Sequence, residues 1–520
     1  MSEKLQLTVS PEEAAFEDQI KRAAIRKLNL PDDAELNFRI SRKSVDARSR
    51  DIKINLWLDV FQPGEDISQW KMHFQFRDVA KSPEVFIIGT GPAGLFAAIK
   101  CIELGLKPVI FERGKDISER KKDIAQIYRQ HQVQNDSNYC FGEGGAGTFS
   151  DGKLYTRSNK RGDVDRIIQL LYYHGASDDI LYEAHPHIGT DKLPEVIKAI
   201  RKTILDCGGN ISFSSKLTDI FIEGSEISGI EINGNQKYDV KSLILATGHS
   251  ARDVYYLLNS KGIKVEAKPF AMGVRVEHPQ QLIDNIQYHR SVKDPYLPAA
   301  SYALTTQIDN RGVFSFCMCP GGYIVPSATA ANEIVVNGMS SSARHTPYAN
   351  SGMVVEVQME DLARYSNHGD LAGLAFQEEL ERTTFTNGGR GQIAPAQRLA
   401  DFVKGKLSSS LPENSYIPGL LSSPIHFWLP DSISLRLRSA FKDFDRKMKG
   451  FHTNDAIVVG LESRSSSPVR IPRDSATFQH IQIKGLFPCG EGAGYAGGIV
   501  SSAMDGENTA EKVKIYLDTI

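Results

Sequence analysis

The stretch VFIIGTGPAGLFAA, residues 85–98, joins an apolar run to a helix-like segment through three glycines spaced Gly89-x-Gly91-x-x-Gly94. A lone glycine pattern of this kind is weak evidence. Here it follows a strand, opens a helix, and is succeeded by a second apolar strand, Pro108–Phe111, that ends at Glu112, 23 residues beyond Gly89. That is the layout of a dinucleotide-binding βαβ unit, in which an acidic residue lies about 20 residues after the fingerprint. Gly89 permits the tight turn, Gly91 lets backbone approach a pyrophosphate, and Gly94 lets helix and strand pack closely. With Pro92 and Ala93 opening the helix, its free N–H groups offset the phosphate charge. Glu112 is placed to accept hydrogen bonds from ribose hydroxyls, with Arg113 beside it.

Working outward, two further segments share the texture. SLILATG, residues 242–248, is a buried strand ending in Thr247-Gly248, and GLFPCGEGAGYAGGIVSSAMDG, residues 485–506, is a strand, a glycine-rich turn and a helix. Together with the first motif they resemble flavoproteins of the glutathione reductase type, with two dinucleotide folds. The resemblance implies that Gly490 and Glu491 hold the ribityl chain, and that the helix starting at Gly498-Ile499 directs its N–H groups at the flavin. The family carries Asp where this chain has Glu491. A second glycine fingerprint for NAD(P)H is not found, which favours an inserted substrate domain over a disulfide-reductase layout.

The tract FGEGGAGTFSDGKL, residues 141–154, places Gly144, Gly145, Gly147 and Ser150 where such proteins run a loop along the cofactor. Five segments sharpen the resemblance: this tract, ATGHSARD (246–253), KPFAMGVRVEHPQ (268–280), FCMCPGGYIVPSA (316–328) and ESRSSSPVRIPRD (462–474). They are similar to a bacterial family of FAD-dependent dehydrogenases of unassigned substrate that also carries a small N-terminal α+β domain. It implies bound FAD; NAD(P)H as a diffusible co-substrate rests on that resemblance alone. The expected function is flavin-dependent oxidoreduction of a small molecule. A flavin-dependent hydroxylase and a flavoprotein docking on RNA or another macromolecule are the alternatives.

Catalytic residues are less legible. His249 follows the ATG strand, Arg464 is a candidate for an anionic substrate or a flavin carbonyl, and Cys317 and Cys319 lie at i,i+2 on an expected strand, on one face. The tight spacing and the Pro320-Gly321-Gly322 turn point to a wall facing the flavin, not a redox centre. No His, Cys or acidic cluster has metal-ligand spacing.

The whole chain agrees with this organisation. Its 520 residues suggest two to four domains at roughly 100–200 residues each. With 61 basic and 63 acidic side chains the net charge is −2, which argues against bulk attraction to nucleic acid or anionic lipid. Six cysteines make no disulfide framework, and no apolar run is long enough for a membrane span. The expected protein is soluble and cytoplasmic. A capping-box sequence at Ser10–Glu13, an apolar face through Phe16, Ile20, Ala24 and Leu28, and alternating runs at Leu36–Ile40, Ile52–Val60 and Met72–Phe76 predict a helix on a short sheet. The basic stretch between Arg39 and Lys53 lacks a GxxG loop and stacking aromatics, and reads as a solvated hairpin. The predicted fold is therefore α/β: a Rossmann-like FAD-binding domain (81–265 and 451–520) interrupted by an inserted α+β substrate domain (266–450), with an N-terminal α+β domain (1–80). Oligomeric state is not legible.

Overall fold

A computed structural model describes residues 3–62, 65, 71–156 and 160–520. The central sheet is parallel and five-stranded, ordered Leu486–Pro488, Leu243–Leu245, Glu84–Ile88, Lys107–Phe111 and Asn210–Ser212. Its strands alternate strictly. Val85, Ile87, Ile110 and Ile244 bury against the helices Pro92–Glu103, Leu193–Asp206 and Ile499–Leu517. Phe86, Ile88, Val109, Phe111, Leu243 and Leu245 bury on the opposite face, against the antiparallel sheet Leu217–Glu223, Glu226–Ile232, Gln236–Asp239 and the helix Arg252–Ser260. A period of two with both faces apolar is what a covered parallel sheet requires.

The inserted domain is built on a seven-stranded sheet, ordered Thr305–Ile308, Arg311–Cys319, Tyr348–Val357, Phe270–Pro279, Ile457–Glu462, Ala394–Arg398 and Leu420–Ser422. All neighbours are antiparallel except the last pair. Helix Asp431–Lys447 buries Ile433, Leu437, Phe441 and Phe444 in this domain's core. The expected boundary at 450 falls too early, because Ile457–Glu462 is hydrogen-bonded inside the insert's sheet and the chain leaves it only after Glu462. Entry and exit run side by side: Glu266–Ala267 pairs antiparallel with Val469–Arg470.

The N-terminal unit is a three-stranded antiparallel sheet, Glu3–Val9, Lys53–Phe61 and Asn37–Asp46, under helix Glu17–Lys27. The predicted capping box forms, with the Ser10 amide donating to Glu13 Oε2 at 2.9 Å and the Glu13 amide donating to Ser10 Oγ at 3.1 Å. Ile20 and Ala24 face the core, whereas Phe16 is exposed. The expected boundary at 80 also moves. Met72–Phe76 is not a strand; Phe74 and Phe76 pack on Tyr173 at 5.5 and 5.7 Å, and Val79 joins the core of the dinucleotide domain. The third strand is instead Glu3–Val9, whose Leu5, Leu7 and Val9 alternate inward. The basic hairpin pairs internally and with its neighbour: Arg39 with Asp59, Arg48 with Asp46, and Lys43 with Glu183.

Candidate functional site

One cavity of about 340 Å³ opens where the carboxyl ends of the parallel strands meet the insert. Gly89, Gly91, Pro92 and Ala93 border it from the first turn, Glu112 and Arg113 from the second strand, Thr247, Gly248 and His249 from the ATG strand, and Glu491, Gly498 and Ile499 from the last motif. Gly145, Gly147 and Ser150 border it from the glycine tract, and Cys317, Cys319 and Arg464 from the insert and its exit. Gly94, Gly144 and Gly490 stand behind the wall. A Cβ on Gly94 would lie 1.9 Å from the Gly89 carbonyl oxygen, so that glycine serves helix–strand packing. Gly490 donates its amide to Asp505 Oδ2 at 2.7 Å, and Arg473 braces the same carboxylate at 2.5 and 3.0 Å, which fixes the turn that presents Glu491.

Gly89 has φ +104° and a Cβ there would come within 2.7 Å of the Ala246 carbonyl oxygen, so only glycine fits. Gly91 differs: its φ of −68° suits any residue, and a Cβ meets no protein atom within 4 Å. The space beside Gly91 is open, as a turn that brings backbone against a phosphate requires. Neither helix that starts at the cavity, Pro92–Glu103 or Ile499–Leu517, has a side-chain cap, so both positive ends face inward. The residues therefore fit a dinucleotide.

Glu112 is buried and anchors the site internally. Oε2 accepts from the Thr90 amide (2.9 Å) and hydroxyl (2.8 Å), while Oε1 accepts from the amides of Gly114 (2.9 Å) and Gly142 (3.0 Å). A ribose hydroxyl would share oxygens that already tie the first turn to the glycine tract. Arg113 is held by Asp136 (2.6 Å) and Asp253 (2.8 Å) over the Phe141 ring.

Sequence reading missed Arg120, a fully buried guanidinium that donates to the carbonyls of Asn138 (2.8 Å), Tyr139 (2.8 Å) and Glu143 (2.7 Å) and so shapes the glycine tract. Burial pushes it down to about 10, against the pull of nearby Glu112. It also missed Glu381, wholly buried on helix Ala372–Asn387, which accepts from Arg252 at 2.7 Å and from Arg464 at 2.8 Å; Glu333 stands 3.3 Å from Arg464 and 3.5 Å from Arg252. Burial alone would raise the Glu381 carboxyl, but the two guanidiniums outweigh it and hold it well below the usual carboxylate range. Arg464 is thus largely committed to carboxylates, with two further contacts, to Ser250 Oγ at 3.3 Å and Cys140 Sγ at 3.7 Å. His249 Nδ1 lies 3.2 Å from Glu491 Oε1 without hydrogen-bond geometry, and both ring nitrogens are buried without a partner, available to whatever fills the cavity.

The cysteine strand departs from expectation. A register shift between Phe316 and Cys319, with Cys317 at φ +45°, interrupts the strand, yet both cysteines still border the cavity, Cys317 more accessible and Cys319 buried. Both are free thiols. Burial raises the Cys319 thiol, against the pull of Lys153. Protonated thiols make poor charge-transfer donors. Dithionite titration of the flavin-loaded protein is expected to take up two electrons per FAD, and Cys317→Ser/Cys319→Ser to leave that unchanged. Four-electron uptake that drops to two in the double variant would establish a redox pair. Among the described residues, no group of His, Cys, Asp and Glu has metal-site geometry, and no helix is long and apolar enough to cross a membrane.

A parallel sheet, a glycine turn at a bare helix start and a second bare helix start meet in one cavity. Residues 269–465 match the family described as FAD-dependent protein, C-terminal domain-like, and the chain belongs to one family with an uncharacterized protein of Clostridium beijerinckii that is 38% identical over 513 residues, covering 95% of each chain. Residues 1–61 match a domain of unknown function. Among solved structures, CtdE in complex with FAD is 12% identical (84% of each chain, TM-score 0.32), and the flavin-dependent brominase Bmp2 is 13% identical (83% of this chain, 79% of that one, TM-score 0.35). At such TM-scores these likenesses assign nothing to individual residues.

Proposed function

We propose that this protein is an FAD-dependent oxidoreductase of the glutathione-reductase type, holding its cofactor without a covalent link and exchanging electrons between a small molecule and diffusible NAD(P)H. The observation that carries the reading is the convergence of two uncapped helix N-termini on one cavity, beside an unfilled space at Gly91. FAD, when bound, supplies the hydride chemistry. The chain's own part is to bind and orient. The start of helix Pro92–Glu103 offers its N–H groups to the pyrophosphate, and the start of Ile499–Leu517 stabilises negative charge at the other end of the cavity. Glu491, on its braced turn, faces the cavity as a carboxylate acceptor for hydroxyl groups. Among the described residues no second βαβ unit carries a glycine fingerprint followed by a strand-end acid, so NAD(P)H would approach the insert's face of the cavity without a dedicated fold.

Anaerobic mixing of the yellow protein with NADH and with NADPH tests the reading: bleaching of the flavin band by either is expected, and bleaching by neither overturns the pyridine-nucleotide part. Substrate-stimulated oxygen consumption coupled to product would favour the hydroxylase alternative. Denaturation is expected to release all FAD to the supernatant; colour that stays with the precipitated chain excludes non-covalent binding.

A further inference from the structure

The part of the cavity wall contributed by the insert has a chemistry of its own. Phe316 and Asn337 border the cavity from the insert, and Lys153 and Tyr155 border it from the end of the glycine tract. Asn337 Oδ1 accepts from the buried Arg275 guanidinium at 3.1 Å, which orients the amide and leaves its nitrogen as the available donor. Arg275 is in turn fixed by Glu462 at 2.8 Å and by Asn350 at 2.7 Å, so this wall is rigidly backed.

The charge on this wall is unbalanced. Lys153 Nζ lies 3.3 Å from Asp151 and also donates to the Met318 carbonyl, while Arg344 grips the same Asp151 carboxylate at 2.6 and 3.2 Å. Two cations therefore share one buried carboxylate. His187, the titratable neighbour of this cluster, is pushed below its ordinary value by burial and by Arg344, and its Nε2 meets the Ser342 carbonyl, so it adds no charge near neutral pH. The buried Arg275–Glu462 pair behind the wall cancels internally. One positive charge is left over on a cavity wall that also carries Phe316 and Tyr155.

We propose that this wall is the substrate subsite, and that it takes a planar, unsaturated organic carboxylate: the apolar body lies against Phe316 and Tyr155, the carboxylate pairs with Lys153, and Asn337 donates to a substrate oxygen. This rests on the flavin reading above. Benzoate and benzamide serve as probes of equal shape and different charge, each titrated into the FAD-loaded full-length protein while the visible flavin band is followed. Benzoate is expected to perturb the band saturably and to bind more tightly than benzamide. Lys153→Gln is expected to weaken benzoate by roughly tenfold or more, the scale of one lost charge-assisted hydrogen bond, and to leave benzamide unchanged. Lys153→Arg should recover most of the loss. Equal binding of the two probes, no perturbation by either, or a Lys153→Gln variant that binds benzoate like the wild type overturns the subsite; the first two outcomes need no variant at all. A protein that holds no FAD fails at the earlier step and speaks against the flavin reading, not the subsite.

Discussion

Gly91→Val is expected nearly to abolish FAD retention while leaving the fold intact. Valine is compatible with the backbone at that position (φ −68°, ψ 178°), and its Cβ meets no protein atom, so the folded chain is not strained. The side chain instead fills the space at the start of helix Pro92–Glu103 and keeps phosphate oxygens from the helix N–H groups. Losing one or two hydrogen bonds to a charged group, at about 1.5–3 kcal/mol each, weakens binding on the order of a hundredfold. The visible-to-ultraviolet absorbance ratio of the purified variant reads the loss directly, and far-ultraviolet circular dichroism checks the fold. Gly94→Ala is the contrasting control: its Cβ collides with the Gly89 carbonyl at 1.9 Å, so it should damage the fold itself. Full flavin occupancy in Gly91→Val would show that the space at Gly91 is not where the pyrophosphate lies.

The second large effect concerns Glu381. Glu381→Leu is expected to cost about 3 kcal/mol of stability, at the lower end for breaking a buried ion pair because Glu333 stays near both arginines. The loss should appear as a lower urea midpoint with an unchanged slope. Glu381 reaches from the insert to Arg252 on the dinucleotide domain and to Arg464 at the exit from the insert, so this buried carboxylate is one of the ion pairs that couple the two domains. The pH dependence has a definite sign. The folded-state pKa lies below the unfolded one, so the contribution is complete above the ordinary carboxylate range and declines as pH falls through it and below. The wild type should therefore lose stability on acidification more steeply than Glu381→Leu. A change within about 0.5 kcal/mol, typical of surface sites, together with parallel acid profiles would refute the coupling.

What was legible in the sequence was local. Gly89 to Gly94, Glu112, and the turn at Gly490-Glu491 each carry their meaning within a few residues of a strand end, and the cavity gathers them from three parallel strands. Arg120 and Glu381 were not legible, because charged residues on helices normally face water, and their partners lie far along the chain: Glu381 meets Arg252 129 residues away. The register shift at the cysteines was hidden for another reason. Alternation predicts a flat strand, and nothing in Phe316–Cys319 announces the positive φ at Cys317. Met72–Phe76 has the period of a strand, but its aromatic rings are claimed by Tyr173. Glu3–Val9 won the vacant sheet edge through its register with Lys53–Phe61.

The pairing of Glu266–Ala267 with Val469–Arg470 has an engineering consequence. The insert's ends are clamped together by this two-residue seam, and its body also contacts the dinucleotide domain through Arg344–Asp151 and Glu381–Arg252, so it is a cassette only if those partners travel with it. Exchanging residues 268–468 for the matching segment of a relative should transplant the ligand-facing wall while leaving the dinucleotide cradle untouched. The exchanged piece must carry its own counterpart of Glu381, since the seam alone does not lock the two halves.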